Sequence, residues 1–136
     1  MKRDILIYLA AVFDIKGHIR IVPTRSYQIR FNLGKAKYKD IQKIIQMANK
    51  LNIKFGKYIN KNKNITRLET NSLLNSLKLM YFLKDFSLRK REIEEAIKDI
   101  KKIGLCLKRK RKRFERIIKE VEEEYKSLKK EIEKSY

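Results

Sequence analysis

The segment 4–14, DILIYLAAVFD, is apolar on nearly every side, and it restricts the fold of this chain more than any other feature of the sequence. A helix on a protein surface carries one apolar stripe, so a helix that is apolar all round needs cover on two faces. One face can contact the chain's own sheet, and the other can contact a partner. The segment therefore predicts a helix that lies between two layers.

Two alternating segments follow, and Gly17 ends the helix before them. Polar and apolar side chains alternate in 18–25 and in 27–33, as in strands with one buried face, and Pro23 and Ser26 mark a turn between them. The pattern predicts a hairpin whose core face carries Ile19, Ile21, Ile29, Phe31 and Leu33. The opposite face carries His18, Arg20, Val22, Gln28, Arg30 and Asn32.

A second helix and a second pair of strands are predicted next. Apolar residues at three-and-four spacing indicate an amphipathic helix over 38–51. Short strands over 54–60 and 65–70 follow, and Leu68 on the core side would point Arg67 and Glu69 outward. The register of the third strand stays open, because Phe55 and Tyr58 fall on opposite faces.

Two more helices follow the strands. Asn71 or Ser72 can cap a helix that reaches Leu83, and a fourth helix runs from about 87 to 103, with Gly104 as its expected break. The order helix, two strands, helix, two strands, helix, helix predicts an α+β fold with a four-stranded antiparallel sheet and extra C-terminal helices.

The last part of the chain has a different pattern. Apolar residues from Phe114 to Ile132 recur at alternating spacings of four and three, which predicts a long helix with a heptad seam. This helix either packs back on its own domain or forms a coiled coil. We therefore divide the chain into a first domain, 1–104, and a basic segment with a long helix, 105–136.

The net positive charge of the chain indicates which class of partner it binds. The formal net charge is +20, and residues 1–113 hold 30 Lys and Arg against 9 Asp and Glu. Such a surplus repels itself unless an anionic partner or salt screens it, which favours nucleic acid over the alternative of a merely solubilising surface. The run 108–113, KRKRKR, would add sequence-independent attraction to phosphate, or it is a solvated segment.

The cysteine and histidine counts and the lengths of the apolar runs exclude several kinds of site and predict the location of the protein. One cysteine, Cys106, and one histidine, His18, exclude an internal disulfide and a metal site made of His and Cys. Any metal would have to be held by carboxylates.

No apolar run approaches the roughly 18 to 20 residues of a membrane-spanning helix, so we expect no membrane partner and a cytoplasmic protein.

The stretch 9–17, LAAVFDIKG, resembles the nine-residue signature of the LAGLIDADG homing endonucleases. Leu9, Ala10, Asp14 and Gly17 are identical to the signature, and the order of elements over residues 4–103 is similar to that family's αββαββα core. The resemblance implies a saddle-shaped sheet that lies along DNA and a homodimer whose two signature helices pack at the axis. It places Tyr8, Leu9, Ala10, Ala11 and Phe13 at the dimer interface; the alternative is an ordinary buried helix.

Lys16 departs from the family in the position that matters for cutting. There the family has an acidic residue that binds the divalent metal ions, and an ammonium repels Mg²⁺ and cannot replace its oxygen ligands. Asp14 matches the earlier acid of the signature, and Arg89 falls near a basic residue that polarises the scissile phosphate in the family. Without the carboxylate, Arg89 is either a phosphate clamp or a surface residue at a helix start.

The sequence therefore favours a dimeric, non-cleaving protein that binds double-stranded DNA as a regulator or a compacting protein. One alternative is an active homing endonuclease with a shifted metal site, the only case that requires Mg²⁺; another is an RNA-binding, maturase-like splicing factor that binds structured RNA. The nucleic-acid-binding candidates are Lys16, His18, Arg20, Arg25, Gln28, Arg30, Asn32, Lys57, Arg67, Arg89, Lys108, Arg109, Lys110 and Arg111.

Overall fold

The structure is a computed structural model, and it describes residues 2–22, 26–34, 36–62, 64–106 and 109–134. Its elements come in the order that the sequence predicts, including the long helix at the end of the chain. They are α1 (Lys2–Lys16), β1 (Gly17–Val22), β2 (Ser26–Asn32), α2 (Tyr38–Lys50), β3 (Gly56–Ile59), β4 (Ile65–Glu69), α3 (Leu73–Leu83), α4 (Lys90–Leu105) and α5 (Arg111–Lys134).

The four strands form one antiparallel sheet in the order β1-β2-β4-β3. The two hairpins therefore meet through β2 and β4, and β1 and β3 lie at the edges. An α+β fold with a four-stranded antiparallel sheet is confirmed. The predicted turn at Pro23 lies outside the described residues, as do the side chains of Ile21 and Val22.

The core lies between the helices and one face of the sheet. Ile29, Phe31 and Leu33 of the second strand region are buried, as predicted, and Ile19 is partly buried. The ring of Phe31 lies 6.5 Å from that of Phe13 on α1 and 5.3 Å from that of Phe55. The apolar face of the first hairpin thus contacts α1 directly, as the alternation requires.

Polar contacts fix the start of α3 against the sheet. Ser72 caps the helix, and its Oγ accepts a hydrogen bond of 3.1 Å from the backbone N–H of Asn75. Thr70 is fully buried, and its Oγ1 accepts from the backbone N–H of Ile29 at 3.0 Å and lies 2.7 Å from Ser76 Oγ. These contacts satisfy buried polar groups that would otherwise destabilise the fold.

The long C-terminal helix packs back on its own chain. Phe114, Val121 and Leu128 of the heptad seam are buried in the same core as α1 and α3. On its polar side, Glu122 accepts a hydrogen bond of 3.1 Å from the hydroxyl of Tyr81, and Glu124 forms an ion pair of 2.8 Å with Lys78. The seam is therefore filled within the chain, and the division at 104/105 does not coincide with a boundary in the core.

Helix α4 ends at Leu105, one residue beyond Gly104, so the predicted end of this helix is confirmed to within one residue. A Cβ atom on Gly104 would lie 2.0 Å from Cε1 of Phe114, the first buried aromatic ring of α5. The glycine therefore has a second role that the sequence does not show, which is to let α4 and α5 approach each other closely. Of the helices described, none is both long enough and apolar enough to cross a membrane.

Candidate nucleic-acid interface

The outer face of the sheet carries six of the fourteen predicted binding residues. The β1–β2 register sets His18 opposite Arg30 and Arg20 opposite Gln28, and directly opposite residues point to the same side of an antiparallel sheet. Asn32 lies opposite Arg67 of β4. His18, Arg20 and Asn32 are exposed, whereas Gln28, Arg30 and Arg67 are half-buried. One polar surface therefore runs across three neighbouring strands.

A cluster of charge occupies the middle of this face. Glu69 lies opposite Arg30 and two residues from Arg67 on the same side of β4, and its Oε2 is 3.1 Å from Arg30 Nε and 3.4 Å from Arg67 Nε. These three atoms are buried from water, and none of them makes an aligned hydrogen bond. The guanidinium of Arg67 also lies over the ring of Tyr58, 4.4 Å from its centroid.

Lys57 does not belong to this face. It lies opposite Leu68, which is fully buried on the helix side of the sheet, so the side chain of Lys57 leaves the sheet on that side. Tyr58 takes the corresponding place on the polar face opposite Arg67, with half of its surface exposed. The register therefore separates Lys57 from the other predicted binding residues of the sheet. It places Tyr58, which the sequence did not single out as a binding residue, on the polar face instead.

Asp14, near the end of α1, is held by the chain itself. Its Oδ1 accepts a short hydrogen bond from the hydroxyl of Ser87, and its Oδ2 accepts one of 3.0 Å from the backbone N–H of Leu88. Ser87 Oγ in turn accepts from the backbone N–H of Arg89 at 2.9 Å. Asp14 therefore ties the end of α1 to the connection between α3 and α4.

Arg89 closes the same end of α1. Its Nη1 donates to the backbone carbonyl of Phe13, in the last turn of α1, at 3.1 Å and to that of Gly17, the first residue of β1, at 2.6 Å. Its Nε and Nη2 donate to Glu92 at 2.8 and 2.7 Å. These hydrogen bonds lower the pKa of Glu92. Most donors of Arg89 are thus used inside the chain, which makes it a positioning residue and not an open phosphate clamp.

The residues at this end of α1 do not fit a divalent cation. Both oxygens of Asp14 already accept hydrogen bonds, and the exposed residue two positions later is the cation Lys16. Within the described part of the chain, no three His, Cys, Asp or Glu side chains are grouped closely enough to hold a metal ion. Lys16, the last residue of α1, is an exposed cation directly before β1.

The residues of α1 that are available to a second copy differ from those that the sequence predicts. Leu9, Ala10 and Phe13 are fully buried in the chain's own core, so they have no surface for a second copy, whereas Tyr8 is partly buried and Ala11 is exposed. The outer face presents a stripe of apolar residues at a spacing of four, which share one side of a helix. The members of this outer stripe are Ile7, Ala11 and Ile15.

The basic segment is described in part. Arg109, Lys110 and Arg111 are exposed, and Arg111 forms an ion pair of 3.0 Å with Glu115. Positive charge at the start of a helix is unfavourable because the exposed N–H groups there are also positive. Arg25 and Lys108, two further predicted binding residues, lie outside the described residues.

Comparisons of the chain with protein families, with curated proteins and with solved structures found no match. The resemblance of residues 9–17 to the LAGLIDADG signature therefore stays a prediction. Of the surfaces described, the polar face of the sheet brings together the largest group of predicted binding residues, six of fourteen.

Proposed function

We propose that this protein is a dimeric, double-stranded DNA-binding protein without nuclease activity, which acts as a regulator or a compacting protein. The observation that carries the proposal is the polar sheet face, on which the registers align Arg20, Arg30 and Arg67 with Gln28 and Asn32. Arginine can bind phosphate or the edge of guanine, and glutamine and asparagine can pair with adenine.

The charge of the chain supports binding to a polyanion. The surplus of positive charge lies in residues 1–113, and 114–136, which includes most of α5, holds 6 Lys and Arg against 7 Asp and Glu. The excess of Lys and Arg over Asp and Glu therefore lies in the part of the chain that forms the sheet and the first four helices. Release of counterions from DNA would then drive sequence-independent binding.

Two further features support the non-cleaving and dimeric parts of the proposal. Lys16 is an exposed cation at the position where the resemblance implies the metal-binding acid, and the donors of Arg89 are mostly engaged in hydrogen bonds within the chain. The outer stripe Ile7, Ala11 and Ile15 leaves apolar surface exposed, and a second copy of α1 would cover it with closely packed small and aliphatic side chains.

Binding across a salt series tests the proposal. We expect the protein to bind a random-sequence duplex, with an affinity that falls steeply between about 50 and 200 mM salt. Arg20→Gln should weaken binding about three- to tenfold at 50 mM salt, the effect expected for one or two lost phosphate contacts. The control is Arg91→Gln, because the side chain of Arg91 on α4 is 95% exposed and lies outside the sheet.

The same assay separates the alternatives. A structured RNA of equal length should compete less well than the duplex at every salt concentration. Stronger competition by the RNA would favour the RNA-binding alternative. Equal effects of Arg20→Gln and Arg91→Gln on binding would show that the polar sheet face is not the DNA-binding surface.

A further inference from the structure

Glu69 is unusual in its position. Within the four described strands, it is the one acidic residue, and it lies in the middle of the polar face and not at its margin. A sheet that only neutralised phosphates would gain nothing from a carboxylate there, because like charges repel. The placement of Glu69 therefore needs an explanation beyond general attraction to DNA.

The geometry gives Glu69 two arginine neighbours. Oε2 lies between Arg30 Nε on β2 and Arg67 Nε on β4, at 3.1 and 3.4 Å, and the three side chains are only 18 to 26% exposed. Tyr58 covers the Arg67 guanidinium from β3. Both arginines are thus held close to the sheet by contacts with neighbouring strands, which shortens their reach toward a phosphate backbone.

The same geometry leaves part of each charged side chain exposed to a ligand. Oε2 and the two Nε atoms are buried and cannot reach DNA, but 18 to 26% of each of the three side chains is exposed. In the major groove, guanine offers the acceptors O6 and N7 to arginine, and cytosine offers its N4 amino group to a carboxylate. The edge of a G·C pair therefore matches a cluster that combines arginine with glutamate, whereas a phosphate would be repelled by Glu69.

From these contacts we infer that Glu69 is a specificity-determining residue, which withholds Arg30 and Arg67 from phosphate and makes the sheet centre bind the edge of a G·C base pair. The inference rests on the proposed function, since it requires the sheet to lie against duplex DNA. The inference extends the proposed function in two ways. It names the part of the duplex that the middle of the polar face contacts, and it names the base pair that this part of the face prefers.

Glu69→Gln tests the inference, because glutamine keeps the size of the side chain and removes its charge. The control is Glu95→Gln, which removes the same charge from α4, where the side chain of Glu95 is 70% exposed and lies outside the sheet. Each variant is compared with the unmodified protein for binding to a random-sequence duplex across salt. Each is also used to select bound sequences from a randomised duplex pool, and thermal unfolding verifies that the variants are folded.

We expect Glu69→Gln to bind the random duplex about three- to tenfold more tightly at 50 mM salt, with a salt slope steeper by about 0.9 to 1.8, as one or two new phosphate contacts would give. The selected pool should lose a G·C preference that the unmodified protein and Glu95→Gln both retain. If Glu69→Gln matches Glu95→Gln in affinity and slope, or retains the same G·C preference, the inference is overturned while the proposed function stands. If the unmodified protein does not bind duplex DNA, both fail together.

Discussion

At the scale of single residues, the end of α1 is organised to hold the fold together. Arg89 donates to the carbonyls of Phe13 and Gly17, and Asp14 accepts from the hydroxyl of Ser87. These side chains satisfy backbone groups that the helix end and the following connection leave open. Asp14 and Arg89 therefore act as positioning residues at the end of α1.

The contact between Arg89 and Glu92 predicts a pH dependence of stability. Hydrogen bonds from Arg89 lower the pKa of Glu92 below its usual value of 4.5, so the folded state binds the proton of this carboxyl less readily than the unfolded state. The resulting stabilisation is present above about pH 4.5 and is lost as the pH falls through the lower pKa of the folded state. The effect is small, because half of the Glu92 side chain is exposed.

Thermal unfolding between about pH 6 and pH 3 measures this contribution. Glu92→Gln should unfold at a lower temperature than the unmodified protein near pH 6, and the difference should shrink toward pH 3. Glu95→Gln, a substitution of a largely exposed glutamate on the same helix, provides the control. A difference for Glu92→Gln that is constant across this range would contradict the assigned role of Arg89.

At the scale of elements, periodicity predicted most of the fold and left three features open for physical reasons. The strands β1 and β2 and the helix α2 follow from their alternation and three-and-four spacing, and Ser72 marks the start of α3. In α1 no polar stripe distinguishes the outer face, so the sequence could not show that Leu9 and Phe13 face the core while Ile15 does not.

The other two features depend on contacts between elements. β3 is four residues long and has a register shift between Tyr58 and Ile59, so alternation could not assign Lys57 and Tyr58 to their faces. Gly104 predicts where α4 ends, but only the neighbouring ring of Phe114 shows that the glycine also allows a close approach of two helices. The binding residues of the first hairpin, in contrast, were predictable because strand alternation places them on one face.

The contact between α4 and α5 predicts the effect of a single methyl group. Gly104→Ala would place its Cβ 2.0 Å from an atom of the buried Phe114 ring, so we expect a loss of about 1 to 3 kcal/mol in the free energy of unfolding. Urea unfolding followed by circular dichroism measures it. Gly34→Ala is the matched control, because nothing lies within 4 Å of a Cβ atom there. Equal stability of the two variants would show that α5 does not pack as described.

At the scale of the whole molecule, the account requires a second copy of the chain. The outer stripe of α1 includes Ile7, 43% exposed, and Ile15, 78% exposed, and two copies related by a twofold axis would bury it against itself. The dimer would also bring two polar sheet faces onto one length of duplex. Dimerisation is thus the step that would turn one small sheet into an extended DNA-binding surface.

A charge on the outer stripe should therefore produce a monomer. We expect sedimentation to give a dimer for the unmodified protein and a monomer for Ile15→Glu, because a buried, unpaired carboxylate strongly opposes association. Ile103→Glu, at a residue of α4 that is 47% exposed, should remain a dimer. A monomeric unmodified protein, or a dimer that tolerates Ile15→Glu, would exclude this interface.

A protein that binds duplex DNA without cutting it should leave supercoiled plasmid intact in the presence of divalent metal ions. Supercoiled plasmid is incubated with the unmodified protein in Mg²⁺ or Mn²⁺, and its mobility is compared before and after removal of the protein. The account predicts retarded migration while the protein is bound and intact supercoiled plasmid after its removal. Nicked or linear plasmid that accumulates with time and protein concentration would contradict it.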